Sequence, residues 1–229
     1  MALILCLETS SVNCSVSLFE NEDLRASVEM GETYMHSEKL HVFIEEVLKK
    51  AGVKITNLDA VAVGSGPGSF TGLRIGMAAA KGLCFALDIP LISVLTLETM
   101  SRIALQFPSS YQRSLCPLID ARRMEVYTCI FDDNLRVERK LDAVIVDENS
   151  FLPDLNKGPI LFFGDGMPKI KSLLESHENA FFQEGIMPSS LFMGKTAFQK
   201  FTNSDFEDVA YAEPLYYKDF QPTTPKKRL

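Results

Sequence analysis

Histidine is scarce in this chain: three residues, His36, His41 and His177, among 229. Few side chains are therefore on hand to act as bases near neutral pH, and no Ser-His-Asp order or G-x-S-x-G elbow stands out. His36 and His41 are the only close pair, and five residues of helix set two rings about 140° apart, off any shared face. No metal site is expected. C-x-x-C spacing is also missing. Cys6, Cys14, Cys84, Cys116 and Cys129 are odd in number, and most lie in apolar runs. They read as small buried hydrophobes of a reducing compartment, not as zinc ligands or disulfide partners.

Basic clusters are nearly absent as well. The net charge of −7 argues against a dedicated nucleic-acid grip, which needs clustered Lys and Arg to neutralise phosphates. Lys226, Lys227 and Arg228 form the one basic group. It reads first as a solvated tail, with a modest phosphate contact as the alternative. The start, MALILCLETSS, has no basic flank and is interrupted by Glu8, which does not fit a signal peptide. With no run of about 20 apolar residues to suggest a membrane span, a cytoplasmic protein is expected.

What is present is ordinary globular composition, 46% apolar and 23% charged, enough for one large domain or two small ones. Strands are expected at 2–7, 14–19 and 24–30, a spacing that suggests an antiparallel meander. Leu40, Phe43, Ile44, Val47 and Leu48 recur at helical spacing, so a helix over about 37–50 follows, ended by Gly52. A strand at 58–63, a helix over about 71–87, a strand at 91–94 and a helix from 96 complete a first lobe, 1–105. A second lobe, 106–229, is expected to carry strands at 115–119, 125–131, 143–146 and 159–163. Its helices are placed around 147–155, 168–176 and 189–201, and its last segment is a candidate to pack back on the first lobe.

One stretch is not filler. GSGPGSFTGLRIG, residues 64 to 76, puts four glycines in its first nine positions and then enters a helix. It fails two phosphate templates: the third glycine of G-x-G-x-x-G is missing, and no glycine precedes a lysine as a P-loop requires. The helix it opens carries Gly72, Gly76, Ala79, Ala80, Leu83 and Leu87 as one stripe of small-to-large apolar residues. Such a helix is buried on nearly every side, as a core helix or with one face covered by another subunit.

LILCLETSSVNCSVSLFE, VAVGSGPGSFTGLRIGMAAAKGLCFALDIPLISVLTLETM and LIDARRMEVY, in that order, closely resemble the bacterial TsaB (YeaZ) family. The ending AEPLYYKD is similar to that family's last segment. The resemblance implies an α/β fold of the actin/Hsp70/sugar-kinase type, two related ribonuclease-H-like lobes. It implies a non-catalytic partner of TsaD, the subunit that attaches threonylcarbamoyl to an adenosine beside the tRNA anticodon. Homodimers, pairing with TsaD, a TsaE ATPase joining the assembly and TsaC as supplier of the adenylate come with it.

In ATP-using members of that fold the position of Glu8, Thr9 and Ser10 holds a phosphate hairpin, with a carboxylate placing Mg²⁺. Here the triplet is a candidate vestigial phosphate site, its Glu standing where many relatives carry Asp; a polar hairpin without ligand is the plainer alternative. The chain alone is expected to bind no cofactor, and any ATP or ADP is expected at the complex with TsaD. Asp120, Arg122, Arg123 and Glu125 form a charged turn that suits either a substrate contact or a surface ion-pair cluster. Gly164-Asp165-Gly166 resembles the glycine turn beneath adenosine in this fold and equally suits a plain turn.

Leu40, Phe43, Phe70, Gly72, Arg74, Gly76 and Ala80 are the expected partner interface, from exposure logic and family position. A charge at Gly76 or Ala80 is then expected to block pairing and leave a folded monomer. Two rivals share the fold: a metal-dependent glycoprotease-like peptidase and a small-molecule kinase.

Overall fold

The computed structural model describes residues 1–31, 36–110 and 112–217. The tail at Lys226–Arg228 and the last two residues of AEPLYYKD lie outside the described residues. Strand β1 (Leu3–Glu8) is buried on both faces, as its unbroken apolar run requires of a central strand. It pairs antiparallel with β2 (Cys14–Glu20), Ile4 opposite Phe19, and β2 pairs in turn with β3 (Asp23–Met30). On its other side β1 runs parallel to β4 (Ala60–Gly66), and β4 to β5 (Leu91–Leu95), giving the order β3-β2-β1-β4-β5.

Between β3 and β4 lies α1 (His36–Ala51), whose Leu40, Phe43, Ile44, Val47 and Leu48 point into the sheet. Gly52 ends it in the left-handed region at φ 66°, with Val53 N bonded to Leu48 O at 3.0 Å. Between β4 and β5 lies α2 (Phe70–Leu87), capped by the Ser69 hydroxyl on Gly72 N and closed by Asp88 at φ 55°. By length and composition alone α2 could cross a membrane. It instead buries Gly72, Leu73, Gly76, Met77, Ala79, Ala80 and Cys84 in this lobe.

The second sheet repeats the first. Its strands β6 (Ser114–Asp120), β7 (Glu125–Phe131), β8 (Val137–Ile145), β9 (Ile160–Phe163) and β10 (Ala180–Gln183) stand in the order β10-β9-β6-β7-β8. β6 takes the place of β1, antiparallel to β7 and parallel to β9. The short helices α4 (Leu152–Leu155) and α5 (Pro168–Leu174) occupy the crossovers. The lobes then trade helices. Helix α3 (Thr96–Ala104) sends Leu97, Met100 and Ala104 into a core with Leu115, Ile119 and Cys129 of the second sheet. Helix α6 (Gly194–Thr202) returns to the first, where Met193 and Ala197 join Ile4, Phe19 and Ile92.

The differences from expectation have local causes. The helix foreseen at 147–155 is only one turn, because Asp147, Asn149 and Ser150 bond among themselves: Asn149 N to Asp147 Oδ1 is 2.9 Å and Asp147 N to Ser150 Oγ is 2.8 Å. Those side chains offer the backbone an alternative to helix, and Pro153 suits only a first turn. β8 is longer than the expected 143–146 because it is an edge strand whose charged residues hide the pattern. β10, four half-buried residues, was not foreseen. The helix expected over 189–201 splits into a Ser189-capped turn at Ser190–Phe192 and α6.

Candidate functional site

β1 delivers Glu8, Thr9 and Ser10 to the end of the first sheet, and the glycine stretch closes over them. Glu8 and Thr9 have no exposed surface and Ser10 only 3%. Glu8 Oε1 accepts from Ser10 N at 2.8 Å, and Thr96 Oγ1 reaches Oε2 at 3.5 Å while accepting from Gly66 N at 3.2 Å. The Thr9 hydroxyl donates to Gly72 O at 2.8 Å, and Ser69 N donates to Ser10 O at 2.6 Å. Loop, helix start and hairpin are thus one bonded unit.

The glycines make that unit possible. A Cβ at Gly64 would lie less than 3.0 Å from the Glu8 carboxylate, and one at Gly68 equally close to Ser10 O. At Gly72 it would meet Thr9 O, and at Gly76 Thr9 Oγ1, again within 3.0 Å. Real Cβ atoms do not approach so closely, and at Gly68 and Gly72 the facing atom is backbone, which cannot give way, so these two glycines are required by contacts inside the chain. Burial raises the Glu8 pKa above its ordinary 4.5, and hydrogen bonds at Ser10 and Thr96 offset this only in part. No lysine or arginine among the described residues pairs with it. The Ser10 hydroxyl is enclosed without a hydrogen-bond partner among the described residues. The Glu8 carboxylate is thus enclosed by Gly64 on one side and Thr96 on the other.

Most of the expected interface needs correcting. Gly72, Gly76 and Ala80 are buried against the chain's own hairpin and core, and Leu40 and Phe43 face the sheet beneath α1. Gly72 and Gly76 let the α2 backbone approach Thr9. A charge at Gly76 or Ala80 would therefore disrupt the lobe instead of leaving a folded monomer. Phe70 and Arg74 alone stay near the surface, Phe70 half-buried and Arg74 exposed.

The outward side of α2 presents Ala78, Gly82, Phe85 and Ala86, with Phe85 85% exposed. Beside it runs a strap, residues 207–217, within the last segment that the sequence made a candidate to pack back on the first lobe. Glu207 bridges to Leu91 at the β5 edge, and Lys81 Nζ donates to Ala210 O (3.1 Å) and Ala212 O (2.9 Å). Leu215 N then donates to Ser65 O in the glycine loop at 2.8 Å. Tyr216 lies against Phe70, ring centroids 5.2 Å apart, and Tyr217 reaches the second lobe, donating to Leu141 O and stacking edge-on with Tyr127.

The second lobe carries the counterpart of the glycine–carboxylate contact. β6 ends at Asp120, and Gly164-Asp165-Gly166 after β9 comes down on the Leu118–Ile119 backbone. Asp165 Oδ1 accepts from Asp120 N at 2.9 Å, and burial raises the Asp165 pKa. Lys169 Nζ bonds Asp120 Oδ1 at 2.5 Å and Glu125 O at 2.8 Å, so the charged turn is held from within. Arg122 and Arg123 stay exposed. Gly164, Asp165, Met167 and Ile186 help line a cavity of about 320 Å³. The described residues hold no group of three His, Cys, Asp or Glu side chains placed to bind a metal. Burial pushes Cys14 and Cys84 up to about 11 and Cys116 to about 12.

Two lobes with the same strand order, each folding a glycine turn onto the end of its central strand, define an α/β protein of the actin/Hsp70/sugar-kinase type. The comparisons narrow this. A family model described as TsaD, tRNA N6-adenosine threonylcarbamoyltransferase, matches residues 33–216. The chain is 29% identical over 238 residues to the tRNA threonylcarbamoyladenosine biosynthesis protein TsaB of Escherichia coli, covering 94% of each chain. It is 29% identical over 178 residues to TsaB of Bacillus subtilis, covering 75% of each. A Pseudomonas aeruginosa crystal structure described by its similarity to peptidase YeaZ superposes with a TM-score of 0.82 at 25% identity, covering 95% of this chain and all of that one. The chain belongs to the TsaD-type family, in its TsaB (YeaZ) branch.

Proposed function

We propose that this chain is a non-catalytic partner subunit for a TsaD-type transferase in forming threonylcarbamoyladenosine on tRNA. The observation that carries the non-catalytic part is the closed hairpin. Glu8, where a nucleotide-using relative would place its metal-binding carboxylate, is fully buried and faced by Gly64 and Thr96. A carboxylate so enclosed serves the fold, and catalysis needs its groups within reach of the reacting atoms. TsaD is the principal partner in this reading, in the cytoplasm, with homodimers and the TsaE ATPase as further associations. Any ATP or ADP belongs to the complex and not to this chain alone.

The docking surface is the outward side of α2 and the strap. Small residues with one exposed phenylalanine and one arginine match the aromatic and Arg enrichment of protein interfaces. Calorimetric titration of the isolated chain with MgATP is expected to give no binding heat at millimolar nucleotide. Stoichiometric binding would favour a kinase of this fold instead.

A further inference from the structure

The Arg74 side chain is held between two aromatic rings where the strap meets α2. Its guanidinium carbon lies 4.4 Å from the centre of the Phe70 ring and 6.0 Å from that of Tyr216. Its Nε donates to the Tyr216 hydroxyl at 3.0 Å. An exposed arginine normally samples many rotamers, and fixing a long side chain costs conformational freedom. Here two rings and one hydrogen bond have already fixed it. The remaining N–H groups of the guanidinium find no acceptor among the described residues, and no carboxylate among them forms an ion pair with Arg74.

Arg74 stands at a groove of about 320 Å³ between α2 and the strap, also lined by Met77, Ala78, Lys81 and Glu213. Lys81 is occupied with the strap carbonyls, and Glu213, exposed along the groove, pairs with neither cation among the described residues. The surroundings are aromatic and small apolar side chains. A fork-shaped guanidinium in such a setting, with Lys81 turned to the strap carbonyls, suits a carboxylate from a protein surface. Nucleic acid would call for a row of cations, and this chain carries a net charge of −7.

Resting on the partner reading above, we propose that Arg74 is the anchor for an Asp or Glu side chain of the subunit that docks on α2, with Tyr216 of the strap as its positioning residue. The strap thereby becomes part of the recognition surface: it aims the guanidinium before the partner arrives, so association orders one side chain fewer.

The test titrates the purified TsaD-type protein of the same organism with wild-type chain, Arg74→Met, Arg74→Lys and Tyr216→Phe, at low and high salt. Arg74→Met is expected to weaken pairing about tenfold or more, the value of a lost charge-assisted hydrogen bond, and to flatten the salt dependence. Arg74→Lys keeps the charge without the planar fork and recovers only part of the affinity. Tyr216→Phe removes a single oxygen, cannot unfold the chain, and is expected to weaken pairing by a few-fold. If Arg74→Met and Tyr216→Phe pair like wild type at both salt concentrations, the anchor is refuted while the partner reading stands. Unchanged pairing with a selective loss of tRNA binding would refute it in favour of phosphate. A wild-type chain that does not pair at all overturns the partner reading and the anchor with it.

Discussion

Gly72 and Gly82 sit ten positions apart on α2 and predict opposite outcomes. A methyl at Gly72 meets the Thr9 carbonyl, and backbone there cannot give way; at Gly82 nothing lies within 4 Å. Gly72→Ala is expected to lower unfolding free energy by about 2 kcal/mol or more through overpacking. Gly82→Ala, which only relieves a helix of glycine's excess entropy, should raise it by up to about 1 kcal/mol. Urea denaturation of both variants checks this, and equal effects would contradict the packing account. Glu8 adds a pH dependence. Its pKa is raised on folding, so above the ordinary 4.5 the folded chain binds more protons than the unfolded one, and stability falls as pH rises through that window. Glu8→Gln removes the titration. The stability difference between variant and wild type should therefore shift in the variant's favour from pH 5 upward, measured by denaturation at successive pH values; a difference independent of pH would contradict the buried, unpaired carboxylate. The stripe of small residues was legible at this scale, but its purpose was not. Small residues permit close approach by any backbone, and it is the fold that makes this backbone Thr9's.

At the scale of elements, strands and helices with strong periodicity were legible where one face meets a core. The run Leu3–Glu8 and the spacing Leu40–Leu48 each became the element expected. For the last segment the sequence offered only packing on the first lobe, without its contacts, because residues 207–217 hold their place through backbone carbonyls and single rings, which leave no period in the sequence. The exchange of α3 and α6 between lobes was not legible, since amphipathic spacing says that a face is buried and not against what. The corrected docking surface has its own test. Phe85, on the outward side of α2, makes no core contact that its loss would empty. Phe85→Asp is expected to abolish pairing with a TsaD-type protein in size-exclusion chromatography while the melting temperature stays within a few degrees of wild type. Retained pairing would move the interface elsewhere.

For the whole molecule, the resemblance implied the two-lobe fold in advance, and its internal repeat explains why the two glycine turns occur at matching places. Gly64 folds onto the end of β1 as Gly164 does onto the end of β6. In the first lobe the turn has become a lid that seals its own carboxylate. The second lobe has a cavity beside its glycine turn, and α2 shares a groove with the strap. The most direct measurement is reconstitution of tRNA modification from purified TsaD, TsaE and TsaC, with and without this chain, scoring threonylcarbamoyladenosine in the tRNA. The account predicts modification only when the chain is present, and retained modification when Glu8→Gln replaces it, since a sealed carboxylate takes no part in chemistry. Full modification without the chain, or its loss with a folded Glu8→Gln variant, would contradict it.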